Sequence, residues 1–381
     1  MKKHTFLSRT AKIICLLLTV TLTLAFLQTY VLRKLDHNMT RLDGYYRQEQ
    51  GELDVVLLGA SEVYTGFSSC RAYEKYGFTS YPVASESLTT DGMMLALKEI
   101  VRTQKPKLLL IEPNAYLYKE TNNEKIEAHT RKLVDNIPLG ENKIDFIDRC
   151  VDKDLQVEYY FPLIKYHDLW QELPNSLRRT ASTIEMQLTN AYYLRGFRTN
   201  TEVFKPSDKE VLNDKIVVEN RTAKLNKTLE KKLKQLLRFC KEQKLNVAFI
   251  RMPHMVYPAT YERVKRSNKA AEIVKEFGYD YINIERDWRK AGIDYNKDFY
   301  NYDHLNIYGT VKLTDYLGGI VQNKYGIKRH ALSGAQKESW DKAARTFGKL
   351  YRYCDEQIKK GHSESISEDM MTLRRIEHYK Y

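Results

Sequence analysis

The chain is poor in cysteine, and its few cysteines are badly placed for two common architectures. Cys15, Cys70, Cys150, Cys240 and Cys354 are scattered through 381 residues with no close-spaced pair. That excludes the ligand spacing of a zinc module and the dense bridging of a small disulfide scaffold. Two long-range bridges stay open in an oxidising compartment, but Cys240 falls on the apolar face of an expected helix, where a small buried thiol fits. Internal repeats and low-complexity tracts are also missing. Acidic residues are fewer than basic ones, 49 against 62, for a net charge of +13. Such a charge favours polyanions, yet the basic residues are spread along helices such as 224–244 and interleaved with acids. No recognition module accompanies them, so nucleic acid is excluded as a partner.

One long stretch lacks charge altogether. Ile13 to Val31 is 19 residues of mostly Leu, Thr, Ile and Val, enough to span about 30 Å of hydrocarbon as a helix. It ends in Phe26-Leu-Gln-Thr-Tyr-Val-Leu32 without the small-residue exit of a cleaved signal peptide, so residues 1–34 read as a cytoplasmic stub and an uncleaved, single-pass anchor. Lys2, Lys3, Arg9 and Lys12 precede it and Arg33, Lys34 and Arg41 follow, a small excess that sets the N-terminus inside and the rest outside the cell membrane. For a domain held there, anionic head groups or phosphate-bearing wall polymers are the fitting counterparts of the positive charge.

The remainder is long enough for one large domain with insertions. Asp54 to Leu58 is a continuous apolar run suited to a strand buried on both faces of a parallel sheet. Further strands are expected over 81–84, 107–111, 246–250 and 280–284, with helices over 91–103 and before each of the last two strands. This alternation predicts a three-layer α/β/α fold with a doubly wound, mostly parallel sheet over 35–330. A helical insertion is expected at about 115–243 and a helical tail at 331–381, where Trp340, Ala344, Phe347, Leu350, Tyr351, Cys354 and Ile358 recur at helical spacing.

In such sheets ligands bind beyond the carboxyl ends of the strands. Ser61, Ala84-Ser85-Glu86-Ser87, Glu112-Pro113-Asn114 and Arg251-Met-Pro-His254 all fall there. Each has an ordinary reading: Ser61 as a helix cap, His304 as a turn residue, the others as caps and turns. His254 is a second candidate base. His167 and Trp170 read as packing for the middle region rather than as sugar-binding groups, and the 28 tyrosines as half-buried anchors as readily as a carbohydrate platform.

Two blocks, Asp54-Val-Val-Leu-Leu-Gly-Ala-Ser61 and Asp298-Phe-Tyr-Asn301-Tyr-Asp303-His304-Leu-Asn306, change the weighting. With the stretches Pro106–Pro113 and Phe161–Trp170, they resemble the SGNH/GDSL hydrolases, in particular the membrane-anchored branch similar to the alginate O-acetylation and D-alanyl-lipoteichoic acid biosynthesis proteins. Gly59-Ala60-Ser61 stands where that family has its Gly-Asp-Ser or Gly-Ser-Ser nucleophile block. The resemblance implies that Ser61 is the nucleophile and His304 its general base. It also implies an oxyanion hole from the Ser61 N–H, the second block at Ser85 and the side chain of Asn114. The second block lacks the family's glycine. The family's Asp-x-x-His would put aspartate at 301, where this chain has Asn301; Asp303 and Asp298 are the nearby substitutes.

The expectation is therefore an envelope-facing O-acyl, above all O-acetyl, transferase or esterase acting on a surface polysaccharide or wall polymer through an acyl-serine, without metal or cofactor. A multi-spanning membrane acyltransferase is an expected partner. The competing reading is a non-catalytic assembly factor with a degenerate site.

Overall fold

A computed structural model of the chain describes residues 2–33, 35–119, 123–207 and 210–379. Met1 and Lys34, at the limits of the expected anchor, and the terminal pair 380–381 of the expected tail lie outside the described residues. The anchor region forms a continuous helix, Lys2–Phe26 followed by a wider turn over Leu27–Val31. Its segment Arg9–Val31 is long and apolar enough to cross a membrane.

Among the described residues, five strands form a central parallel sheet: β1 (Val55–Gly59), β2 (Ser80–Ala84), β3 (Leu108–Ile111), β4 (Val247–Arg251) and β5 (Asp280–Asn283). Their order is 2-1-3-4-5. Every neighbouring pair is parallel, with Leu58 beside Val83 and Ile111, and Ile111 beside Phe249. The boundaries fall within a residue or so of those expected; in β1 and β3 an unbroken run of Val, Leu and Ile has no polar residue to place on a solvent face.

Alternate strand residues enter two separate apolar clusters. Val56, Leu58, Leu109, Ile111 and Phe249 meet the helices Thr90–Thr103, Lys227–Glu242 and Tyr261–Glu276. Val55, Leu57, Leu110 and Ile250 meet Val63 and Phe67, just after β1, and Leu313, Leu317 and Val321 of the helix Ile307–Tyr325. The period of two along a strand divides the side chains in this way. Cys240 is buried at the first of these contacts, and the described cysteines are all free thiols.

The long connection from β3 to β4 carries helices from Asn123–Val134 to Leu173–Thr189. It is not wholly helical: Thr199–Asn200 forms an antiparallel ribbon with Ser365–Ile366. In the tail, the helix Gly334–Lys359 buries Trp340, Phe347, Leu350 and Cys354 and lies against the helix Ser69–Tyr76. One expectation fails in the middle region. Trp170 does not pack there; it is 63% exposed, and His167 is exposed too.

Candidate active site

β1 and β3 are neighbours in the sheet, yet the chain leaves them toward different outer strands, so the crevice beyond their carboxyl ends is the switch point of the sheet. Ser61 stands there. Extended backbone at Ala60 turns the chain sharply out of β1, and Ser61 opens the helix Ser61–Gly66. Gly59 permits the turn: a Cβ on it would lie 2.5 Å from Val63 Cγ2 and 2.8 Å from Glu112 Cβ. The Ser61 N–H, at the head of the helix, belongs to the first turn, whose N–H groups have no intrahelical carbonyl to bond.

The second block folds as a tight hairpin. Phe299–Asn301 pairs with His304–Leu305, and Asn301 lies directly across from His304 with Tyr302 and Asp303 in the turn between them. Asn306 then caps the following helix, its Oδ1 accepting from the N–H groups of Tyr308 (3.0 Å) and Gly309 (3.3 Å), while its Nδ2 donates to the Lys297 carbonyl (2.7 Å). Hairpin and cap together fix the imidazole. His304 Nε2 is 2.7 Å from Ser61 Oγ, and His304 Nδ1 is 2.9 Å from Asn301 Oδ1.

The polarity of this relay follows from one further contact. The Asp303 N–H donates to Asn301 Oδ1 at 3.0 Å, so the amide atom there is the oxygen. His304 Nδ1 must then carry a proton, which leaves the Nε2 lone pair to accept from the Ser61 hydroxyl. Burial holds the imidazole below its usual pKa, against the charges of Glu62 and then Asp303, which favour protonation. Tyr300 stacks on the ring at a 5.4 Å centroid distance and 9°.

The other candidates lie as follows. Asp303, in the turn, bonds Arg263 Nη2 (3.1 Å) rather than His304. Asp298 is buried and accepts from the Asp294 N–H (2.6 Å) and Lys312 Nζ (2.7 Å), a loop-holding role. The Ser85 N–H faces the Gly59 carbonyl at 3.4 Å, and its buried hydroxyl has no partner. Asn114 Oδ1 accepts from Arg251 Nη1 at 2.9 Å, which leaves its NH2 as the free end of the amide, a donor of the kind an oxyanion needs. His254 is fully buried behind the site. No three of the described His, Cys, Asp and Glu residues are placed to hold a metal ion.

Behind the relay is a buried ionic cluster that residue-by-residue reading missed. Glu112, Arg251 and Glu285 follow or end the adjacent strands β3, β4 and β5. Arg251 bonds Glu112 Oε1 through Nη1 and Glu285 Oε1 through Nη2, each at 2.9 Å. His254 Nδ1 is 3.0 Å from Glu285 Oε1 but misaligned for a hydrogen bond. Burial opposes ionisation of Glu285, yet Arg251 and His254 hold it down at about 2. Burial, with the charge of Glu62, pushes Glu112 well above the carboxylate range. Glu62 is also buried, but the pull of the His254 ring, its own backbone N–H and a hydrogen bond with Glu112 outweigh desolvation and keep it low. The two buried carboxyls are thus pushed in opposite directions, Glu112 toward its neutral form and Glu62, next to the nucleophile, toward its charged form. The clue in the sequence was the pair of opposite charges, Glu112 and Arg251, ending neighbouring apolar strands, where neither has a route to solvent.

No protein-family model matches the chain, and no curated protein matches it either.

Proposed function

We propose that this chain is a membrane-anchored, envelope-facing serine acyltransferase or esterase of the SGNH type, with the three-layer α/β/α arrangement of that family. Its substrate would be an O-acyl, above all O-acetyl, group on a surface polysaccharide or wall polymer. The observation that carries the reading is the relay Ser61 to His304 to Asn301, with contacts of 2.7 and 2.9 Å and a polarity set by the Asp303 N–H. His304 Nε2 takes the Ser61 proton as Oγ attacks the acyl carbon, then returns it to the departing alcohol; water or a polymer hydroxyl reverses the sequence to release the acyl group. The Ser61 N–H and the Asn114 amide are the donors for the oxyanion. A multi-spanning membrane acyltransferase would supply the acyl group.

The assembly-factor reading is favoured by Asn301, which orients the ring but brings no charge to the imidazolium, and by the Ser85 N–H, already facing Gly59. One experiment separates the two. The full chain should hydrolyse p-nitrophenyl acetate and be labelled by a serine-directed phosphonate, and Ser61→Ala should abolish labelling and lower the rate by at least about 10³-fold. Asn301→Asp should raise the rate by about tenfold or more, since it adds the missing charge. A wild-type chain that neither turns over nor labels would leave the assembly factor standing.

A further inference from the structure

Large apolar side chains are exposed together in one part of the molecule outside the spanning helix. Phe161, Ile164, Trp170, Leu173, Leu177 and Leu188 are each more than two-fifths exposed, Leu188 at 83%. They lie on the short helices Pro162–Lys165 and His167–Glu172 and on the longer helix Leu173–Thr189. On that longer helix Leu173, Leu177, Ile184 and Leu188 recur at steps of four, seven and four, so they form one stripe. The neighbouring face, with Ser176 and Thr180, is buried. In helical projection Arg178 and Arg179 fall away from the stripe, where they line a cavity with Asp36, Met186 and Glu368, while the exposed Lys165 precedes the stripe in the chain.

The buried face rests against the outer end of the N-terminal helix. Thr180 Oγ1 donates to the Tyr30 carbonyl at 2.5 Å, and the Tyr30 hydroxyl donates to Gln187 Oε1 at 3.2 Å. The turn Leu27–Val31 also touches Pro162–Lys165. This is the level at which Arg9–Val31 would leave the hydrocarbon, and it is the level where Trp and Tyr concentrate in membrane proteins. A helix with Leu along one side, preceded by an exposed Trp and Lys, has the composition of an interfacial segment.

We propose that residues 161–188 lie in the head-group layer of the same bilayer that the N-terminal helix enters, with the apolar stripe inserted and Lys165 against the lipid head groups. The inference rests on the reading of Arg9–Val31 as a membrane span. It gives the domain two attachments to the membrane, a through-going helix and a helix laid flat, which together remove the swivel that a single tether allows.

The test uses intrinsic fluorescence. Of the three tryptophans, Trp340 is buried and Trp288 is half-buried, so Trp170 is the one placed to meet lipid. The purified full chain is reconstituted into nanodiscs made with anionic and zwitterionic phospholipids, brominated near the head group or unbrominated. Emission should fall in the brominated discs, and that loss should disappear in Trp170→Phe. Equal emission in both kinds of disc, or quenching that persists unchanged in Trp170→Phe, overturns the proposal. Co-elution of chain and disc, resistant to alkaline carbonate, separates the two readings. A chain that stays with the disc but is not quenched fails the interfacial helix alone, whereas one stripped by carbonate fails the span and the proposal with it. A photo-crosslinker at position 170 that captures a protein rather than lipid in cells would also overturn it.

Discussion

The carboxyl edge of the sheet and residues 161–188 invert the usual partition of a folded chain in opposite ways. At the sheet edge Glu62, Glu112, Arg251, Glu285 and His254 are buried, where charge is costly; along 161–188 Trp170, Leu177 and Leu188 face outward, where apolar surface is costly. Each anomaly is informative for the same reason, since a buried polar group or an exposed apolar patch has to be maintained by something beyond packing. In the first region the charges hold one another and surround a nucleophile. In the second, no described residue buries Trp170, Leu177 or Leu188. Substitutions should therefore behave in opposite ways in the two places.

The largest effect is expected at Arg251. Replacing it by methionine removes the cation that offsets the burial of Glu285 and that bonds both Glu285 and Glu112, and breaking a buried pair from one side costs about 3–5 kcal/mol. Denaturant unfolding of Arg251→Met checks this, and a loss under about 1 kcal/mol would mean that the cluster relaxes into water and is not buried in the sense argued above.

Next comes Glu62. Its charge favours the His304 imidazolium that forms as Ser61 attacks, so Glu62→Gln should slow ester hydrolysis by about tenfold, the equivalent of about one pKa unit. The pH profile gives the sign. The base works only when neutral, so activity is present above the folded pKa of His304 and is lost as pH falls through it. Burial already sets that limb below the ordinary histidine value of about 6.5. Removing the Glu62 charge lowers the pKa further, and the limb moves to lower pH. An unmoved limb together with a lower rate would make Glu62 a packing residue.

The smallest effect is expected on the stripe, where Leu177→Ser should change the unfolding free energy in detergent by no more than about 0.5 kcal/mol. A cost above about 1 kcal/mol would show that Leu177 is packed and would blur the contrast between the two regions.

Much of the framework was legible in the sequence, because unbroken apolar runs such as Val55–Leu58 and Leu108–Ile111 leave a strand few alternatives to burial. The spacing of Asn301 and His304 was legible too, with Asn301 in the position of the orienting acid, although Asp303 and Asp298 stayed open beside it. Only the hairpin register shows that the residue three before the histidine faces it, while Asp303, adjacent in sequence, is turned toward Arg263. The ionic cluster was illegible one residue at a time, since Glu and Arg read as surface residues until the order of β3, β4 and β5 sets them side by side. Trp170 was misread for the converse reason. An aromatic residue in a helical stretch suggests a core, and only its exposure in the folded chain, 63%, says otherwise.

The ribbon between Thr199–Asn200 and Ser365–Ile366 has a consequence for biosynthesis. Arg198 joins that ribbon to the nucleophile's helix, its N–H donating to the Tyr64 carbonyl at 3.1 Å and its guanidinium to Ser365 Oγ at 2.9 Å. At roughly 5–20 residues per second, Ser365 leaves the ribosome about 15–60 s after Ser61. The wall beside the serine therefore stays open through most of translation, and the hydroxyl finds its finished surroundings only when a late segment folds back against an early one.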